Sequence, residues 1–193
     1  MIESAHMIGD DRGRDLEGKG LDLLRSVSEY GEPLENHCRR LADFSLALGD
    51  DRGIGLDEDL VRCACYLHDI GLCITHPEER NYLRRGLDFA LPRVKEWGVR
   101  GDDLALFEEI MLYNHSLKRV PGLDPRAEMV RLAVGVEHSF GVRSHGLSKE
   151  SRRAVFARHP RRGFNKVLMS FFKTTLVDDG PTQVFGIFLP KAG

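Results

Sequence analysis

An all-α fold is predicted by three features of this 193-residue sequence. Apolar residues recur at three-, four- and seven-residue steps in one segment after another. Glycine, proline and small polar residues punctuate the gaps between those segments, and no run of alternating residues demands a sheet. The length favours one domain with room for a real core. A hydrophobic fraction of 41% with 30% charged residues is ordinary for a globular chain, so neither a disordered nor a membrane class is favoured.

The elements follow in order. A polar tail, flexible over residues 1–18, contains Gly9-Asp10-Asp11-Arg12-Gly13-Arg14-Asp15. Leu21 to Val27 reads as a short amphipathic helix stopped near Gly31. A longer helix runs from Pro33 towards Gly49, with Leu34, Leu41, Phe44 and Leu48 on one stripe and His37 falling on it. Leu56-Asp57-Glu58-Asp59 opens the next, which continues through the apolar run Leu60-Val61-Arg62-Cys63-Ala64-Cys65-Tyr66-Leu67 and stops at Gly71. Pro77-Glu78-Glu79-Arg80 is read as the start of a helix reaching Trp97, with a break or kink at Pro92. Asp102-Asp103 opens a helix ending at Tyr113-Asn114-His115-Ser116. After the turn signals Pro121-Gly122 and Asp124-Pro125, a helix spans Ala127 to Phe140, with Gly141 placed to close it. Ser148 is an N-cap signal for a basic helix ending near His159-Pro160, and a last helix covers Phe164 to Leu176. The domain is therefore set at 19–193, with the apolar end Gln183 to Pro190, including Phe185 and Phe188, docked on it; a contact in a homo-oligomer is the other use for that segment.

The chemistry concentrates at Tyr66-Leu67-His68-Asp69-Ile70-Gly71-Leu72. An apolar helix delivers an adjacent His and Asp at its end, and both are good ligands for zinc, iron or manganese. Neighbours on a regular helix diverge by about 100°, so one cation takes both only where the helix ends. A plain helix terminus, with the His near the dipole and the Asp in the next turn, fits the heptapeptide as well. Cys38, Cys63, Cys65 and Cys73 fit reduced structural thiols better than a disulfide framework, and Cys63-x-Cys65 is not a zinc-knuckle spacing.

An inward His on one helix and a His-Asp pair ending the following one resemble the HD superfamily of metal-dependent hydrolases. The order of the helices through His115 and Val130-Arg131-Leu132-Ala133, and the segment Gly163-Phe164-Asn165-Lys166, are similar to a branch related to cyanamide hydratase. The resemblance implies an HD-domain helical bundle and a divalent metal (iron, zinc or manganese) held by His37, His68 and Asp69. The family's last ligand, an Asp, would fall at Val134, which cannot ligate. Glu137 and His138, three and four positions on along the same face, are the candidate substitute ligands. His115 is similar to a site-facing His of some relatives and, with Asp69, is the candidate catalytic residue. Lys118 and Arg119 are candidates for meeting an anionic substrate.

The resemblance implies hydrolysis of a phosphate ester or nucleotide by metal-activated water, with a phosphorylated small molecule as partner. The alternatives are a non-catalytic HD scaffold with a degenerate site, which Val134 favours, and a cyanamide hydratase-like lyase. The basic stretch Arg143, His145, Arg152, Arg153, Arg158, His159, Arg161, Arg162 and Lys166 invites phosphate or a nucleic acid backbone, but sparse aromatics make it read first as a solvated helix face. A net charge of −2 argues against a general nucleic-acid or membrane-surface binder. No apolar stretch approaches the ~20 residues that cross a bilayer, Met1 to Gly20 lacks a signal-peptide core, and a cytoplasmic location is expected.

Overall fold

The computed structural model describes residues 15–74, 81–182 and 188. Its elements are α1 (Leu16–Val27), α2 (Gly31–Arg52), α3 (Glu58–Leu67), a 3-10 turn (Ile70–Leu72), α4 (Tyr82–Glu96), α5 (Gly101–Tyr113), α6 (Pro125–His138), α7 (Lys149–Arg158), α8 (Phe164–Thr174) and a π-helical turn (Thr175–Asp179). No strand occurs among the described residues, so the fold is the expected all-α bundle. Gln183, Phe185 and the proposed start of a helix at Pro77 lie outside the described residues. Phe188 lies inside them, and its carbonyl accepts from the Leu117 N–H at 3.0 Å.

The helices begin where side chains can satisfy their first N–H groups. Asp57 accepts from Leu60 N–H, Asn81 from Arg84 N–H, Asp124 from Arg126 N–H, and Ser148 from Ser151 N–H. The first helix starts at Leu16, ahead of the expected domain boundary after Gly18. Asp15 caps it, and the Asp59 carboxylate of α3 accepts from the N–H groups of Leu16 and Glu17 at 2.9 and 2.7 Å. Leu16 is fully buried, which ties that turn to the domain. The proline at 92 does not break α4, which runs through it to Glu96.

The main core is built by α2, α3, α5 and α6, with Leu41, Phe44, Leu60, Leu67, Phe107, Ile110, Val130 and Val136 packed together. A smaller cluster, Leu24, Leu34, Cys38, Tyr66, Phe164, Val167 and Phe171, brings α8 onto α2 and α3. All four cysteines are free thiols; Cys38, Cys63 and Cys65 are buried, and burial pushes the Cys65 thiol up to about 12. They act as small apolar residues.

Gly71 has a different reason from the one its position suggests. It is not a left-handed cap, since Leu67 ends α3 two residues before the 3-10 turn and Gly71 is absent from the positive-φ positions. Its backbone lies directly against α4: an added Cβ would stand 1.9 Å from the Tyr82 carbonyl oxygen and 2.7 Å from the Gly86 nitrogen. These are backbone atoms and cannot rotate away. By contrast, Gly53 closes α2 at φ 65° with nothing within 4 Å of its Cβ position. Gly71→Ala should therefore cost about 1–3 kcal/mol or more in urea unfolding, and Gly53→Ala about 1 kcal/mol from backbone strain alone. Equal small losses would show that the turn does not depend on this close approach.

Candidate metal centre

The end of α3 solves the geometric problem of adjacent ligands. His68 still has helical backbone angles, but Asp69 leaves the helix at φ −106°, ψ 9°, between helix and turn. The two side chains, which a continued helix would splay apart, then meet: His68 Nε2 is 3.0 Å from Asp69 Oδ2. From α2, His37 Nε2 arrives 3.3 Å from His68 Nε2 and 3.8 Å from Asp69 Oδ2. All three residues are buried.

Two imidazole nitrogens facing each other with a carboxylate oxygen beside them match a metal-binding face. Ligand atoms about 2.0–2.2 Å from a tetrahedral zinc stand about 3.3–3.5 Å apart, and the three separations here bracket that value. His68 Nδ1 lies 2.7 Å from the Cys65 carbonyl and donates to it, so Nε2 carries the free lone pair. This is the outer-shell hydrogen bond that metal-ligating histidines commonly make. The residues fit a divalent cation.

Glu137 sits on the opposite edge of His37. Its Oε2 is 3.3 Å from His37 Nδ1, close enough to pair though off the line of a well-formed hydrogen bond. Its Oε1 accepts from Arg40 Nε and Nη2 at 3.1 and 2.7 Å and from Arg161 Nη1 at 2.9 Å. Arg40 and Glu137 both have 0% exposed side chains. His37, Glu137 and His138 do bring one ligand atom each within 4.8 Å of one another. Two guanidinium groups against the same carboxylate oppose a cation there, so Glu137 is an outer partner that sets His37, not a ligand at the His68–Asp69 face.

His138, the other candidate, comes within 4.8 Å of ligand atoms of His37 and Glu137. As the last residue of α6 its ring stacks between His37 (centroids 5.6 Å) and His115 (5.4 Å), and its buried Nε2 has no hydrogen-bond partner. Val134, one turn earlier, is buried in the main core. His115 follows the C-terminus of α5, and its Nε2 is 3.2 Å from Asp69 Oδ1, so it holds the carboxylate oxygen not turned to His68.

Charge in this cluster follows from burial and pairing. Burial works against an ionised Asp69, but His68 and His115 beside it outweigh that and hold it well below the usual carboxylate range. Glu137 is likewise held far down, against its own burial, by His37, His138 and Arg40. Burial dominates His37 and lowers it; His138, buried beside His115 and His37, is pushed down to about 3. His68 moves the other way, since Asp69 overcomes its burial.

Two cavities meet at His115, His138 and Phe188. One, of about 430 Å³, also reaches Asp69 and is walled by apolar side chains of α8. The other, of about 350 Å³, carries Arg131, Arg143, His145, Ser116 and Asn114. Lys118 and Arg119, expected to meet the substrate, are exposed and line neither cavity. The chain turns after Ser116, whose hydroxyl donates to the Lys118 carbonyl at 2.8 Å, and Arg131, which lines the second cavity, comes from α6. Four residues of the basic stretch are paired within the chain: Arg158 and His159 with Asp43, Arg161 with Glu137, and Arg152 with the Gly141 carbonyl. Arg40, Arg131 and Arg161 had no sequence signal beyond their charge, because their partners are distant in the chain.

An all-α domain that buries a His–His–Asp face in this way is of a class that can hold a metal ion. Residues 34–133, just over half of the chain, match the family model of the HD domain, and the chain belongs to that family. The matched stretch includes His37, His68, Asp69 and His115 and ends one residue before Val134. No curated protein matches the chain. HD-domain membership suggests metal-dependent hydrolase-type function, and no described helix is long and apolar enough to cross a membrane.

Two consequences can be measured. Arg40→Ala leaves the buried Glu137 with only part of its compensation and should cost about 3–5 kcal/mol in urea unfolding; a loss under 1 kcal/mol would mean Glu137 can shed its charge. In the metal-free protein, His37 and His138 bind protons less readily when folded than when unfolded. Their contribution is complete above about pH 6.5 and declines as pH falls, by at most about 1.4 kcal/mol per pH unit for each. His68, raised by Asp69, contributes in the opposite sense and offsets one of them. Stability should fall between pH 7.5 and 5.5, and His138→Gln should flatten that fall.

Proposed function

We propose that the protein is a metal-dependent hydrolase of a phosphate ester, nucleotides included, with its cation held by His37, His68 and Asp69 and completed by His138. The convergence of His37 Nε2, His68 Nε2 and Asp69 Oδ2 within 3.8 Å carries this reading. When bound, the cation supplies Lewis acidity towards water and towards an anionic oxygen. The chain's own residues do the rest. The Cys65 carbonyl and Glu137 fix the orientations of His68 and His37. His115 steadies Asp69 through Nε2 and stands at the junction of both cavities, where its ring can orient the substrate. Arg131 and Arg143 give the anion a positive wall. Leu168 and Phe171 of α8 line the apolar side.

Metal analysis of purified, tag-free protein is the direct test. About one equivalent of iron, zinc or manganese is expected, absent in His68→Ala and in Asp69→Ala, and retained in Lys118→Ala. Glu137→Gln should weaken metal affinity about 10–100-fold, as loss of an outer partner does elsewhere. Loaded protein should then release phosphate from members of a phosphate ester panel. A folded protein that stays empty in excess metal would remove the enzymatic reading and leave an HD scaffold that binds a ligand.

A further inference from the structure

The hydrolase reading leaves open what the phosphate is attached to, and the walls around the site speak to that. We propose that the substrate joins a phosphate to an apolar alkyl or aryl body, the body seated against α8 and the phosphate turned towards Arg131 and Arg143. The proposal rests on the hydrolase reading. In the reaction water forms the new P–O bond, the ester P–O bond breaks, and one water proton ends on the departing alcohol oxygen.

The cavity that opens on Asp69, His115 and His138 is walled by Leu72, Tyr82, Leu168, Met169, Phe171 and Phe172. Thr175 adds a hydroxyl, but its Oγ1 already donates to the Phe171 carbonyl at 2.8 Å. A sugar ring placed here would surrender hydrogen bonds to water and regain few, at a cost for each hydroxyl. An alkyl chain or aromatic ring would lose nothing and gain burial. Met169 and Phe172 support the same occupant: they are 66% and 51% exposed, yet both border this cavity. Large apolar groups left open beside a concave site are what an apolar ligand covers.

The second cavity differs in kind. Arg131 and Arg143 line it with Asn114, Ser116, Ser139 and His145, and no carboxylate is among its described lining residues. Glu128 holds Arg131 at 2.7 Å, which fixes the guanidinium in place, and its Nη1 donates to the Ser116 carbonyl at 2.9 Å. Because the cavities share His115 and His138, one molecule can occupy both with its anionic end and its apolar end on opposite sides of the cluster. Two environments of opposite character meeting at His115 and His138, the apolar one also reaching Asp69, suit an amphiphilic anion.

The test is calorimetric titration of metal-free protein with methyl-, butyl-, hexyl- and octylphosphonate, and with adenosine 5′-monophosphate. Affinity should rise about threefold per added methylene until the cavity is filled, with hexylphosphonate bound more tightly than the nucleotide. Met169→Asp with Phe172→Asp changes exposed positions, so the fold is expected to survive. It should flatten the series, each added methylene then gaining little, and Met169→Gln with Phe172→Gln, which adds no charge, should flatten it in the same way. Arg143→Glu should weaken every member by the same factor. A flat series in the unaltered protein, or tighter binding of the nucleotide, would overturn the proposal, and hydrolysis of nucleotides by loaded protein would then leave the hydrolase reading standing. A rising series with no phosphate released from hexyl phosphate by loaded protein would keep the cavity's ligand class and remove the hydrolase.

Discussion

A single buried carboxylate holds the site's architecture together. Glu137 of α6 receives Arg40 from α2 and Arg161 from the segment before α8, and it faces His37 across its other oxygen. An ion pair this deep is weak evidence for stability, since removing both charges from water costs most of what their attraction returns. What it contributes is position. Three stretches far apart in sequence are pinned at one point, and the point adjoins the ring of the first candidate ligand. Phe164 stacks on that ring at 4.1 Å and 10°, closing its other face. His37 is thereby oriented by an electrostatic contact at its edge and a packing contact at its plane, which leaves Nε2 to face His68.

The second ligand pair depends on backbone rather than charge. Asp69 can share a target with His68 only because α3 ends between them, and the short turn that follows is pressed onto α4 through Gly71 and Gly86. The two halves of the metal face are thus set by different physics. A change at Glu137 would act on His37 first, and a change at Gly71 on Asp69 first.

The sequence revealed the parts of this arrangement that are local. Helix starts carry Asp57, Asp124 and Ser148, each able to accept from its own first turn, so spacing along the chain identifies them. His37 and the His68–Asp69 pair were legible as a histidine on an apolar stripe and a polar pair ending an apolar helix. Glu137 was not, because periodicity tells which face of α6 it occupies and nothing about the two arginines waiting there. Lys118 and Arg119 line neither cavity for the converse reason: closeness to His115 in sequence does not survive the turn at Ser116, while Arg131, from α6, returns to that place. Gly71 was misread because a glycine after a helix commonly serves as a left-handed cap. Here the missing Cβ makes room for another backbone, and that requirement is invisible until α4 is in place. The apolar pattern of α8 likewise gave a helix but not its double use: Phe164, Val167 and Phe171 face the core, and Met169 and Phe172 face outward beside the cavity.

The replacement of an acidic residue by Val134, which the HD resemblance implies, alters the charge of the centre as well as its ligand count. Asp69 is the only carboxylate in the His37–His68–Asp69 face, and the charge of Glu137 is already answered by Arg40 and Arg161. With His138 as the added ligand, a neutral imidazole stands where a second negative charge would have been. A divalent cation there keeps more of its positive field than it would between two carboxylates, and the low local dielectric strengthens that field. Arg143 lies beside the same junction and adds to it, while the charge of Arg131 is answered by Glu128. A site with Val134 in place of that acid would hold an anion more strongly, in keeping with the basic cavity proposed to receive one.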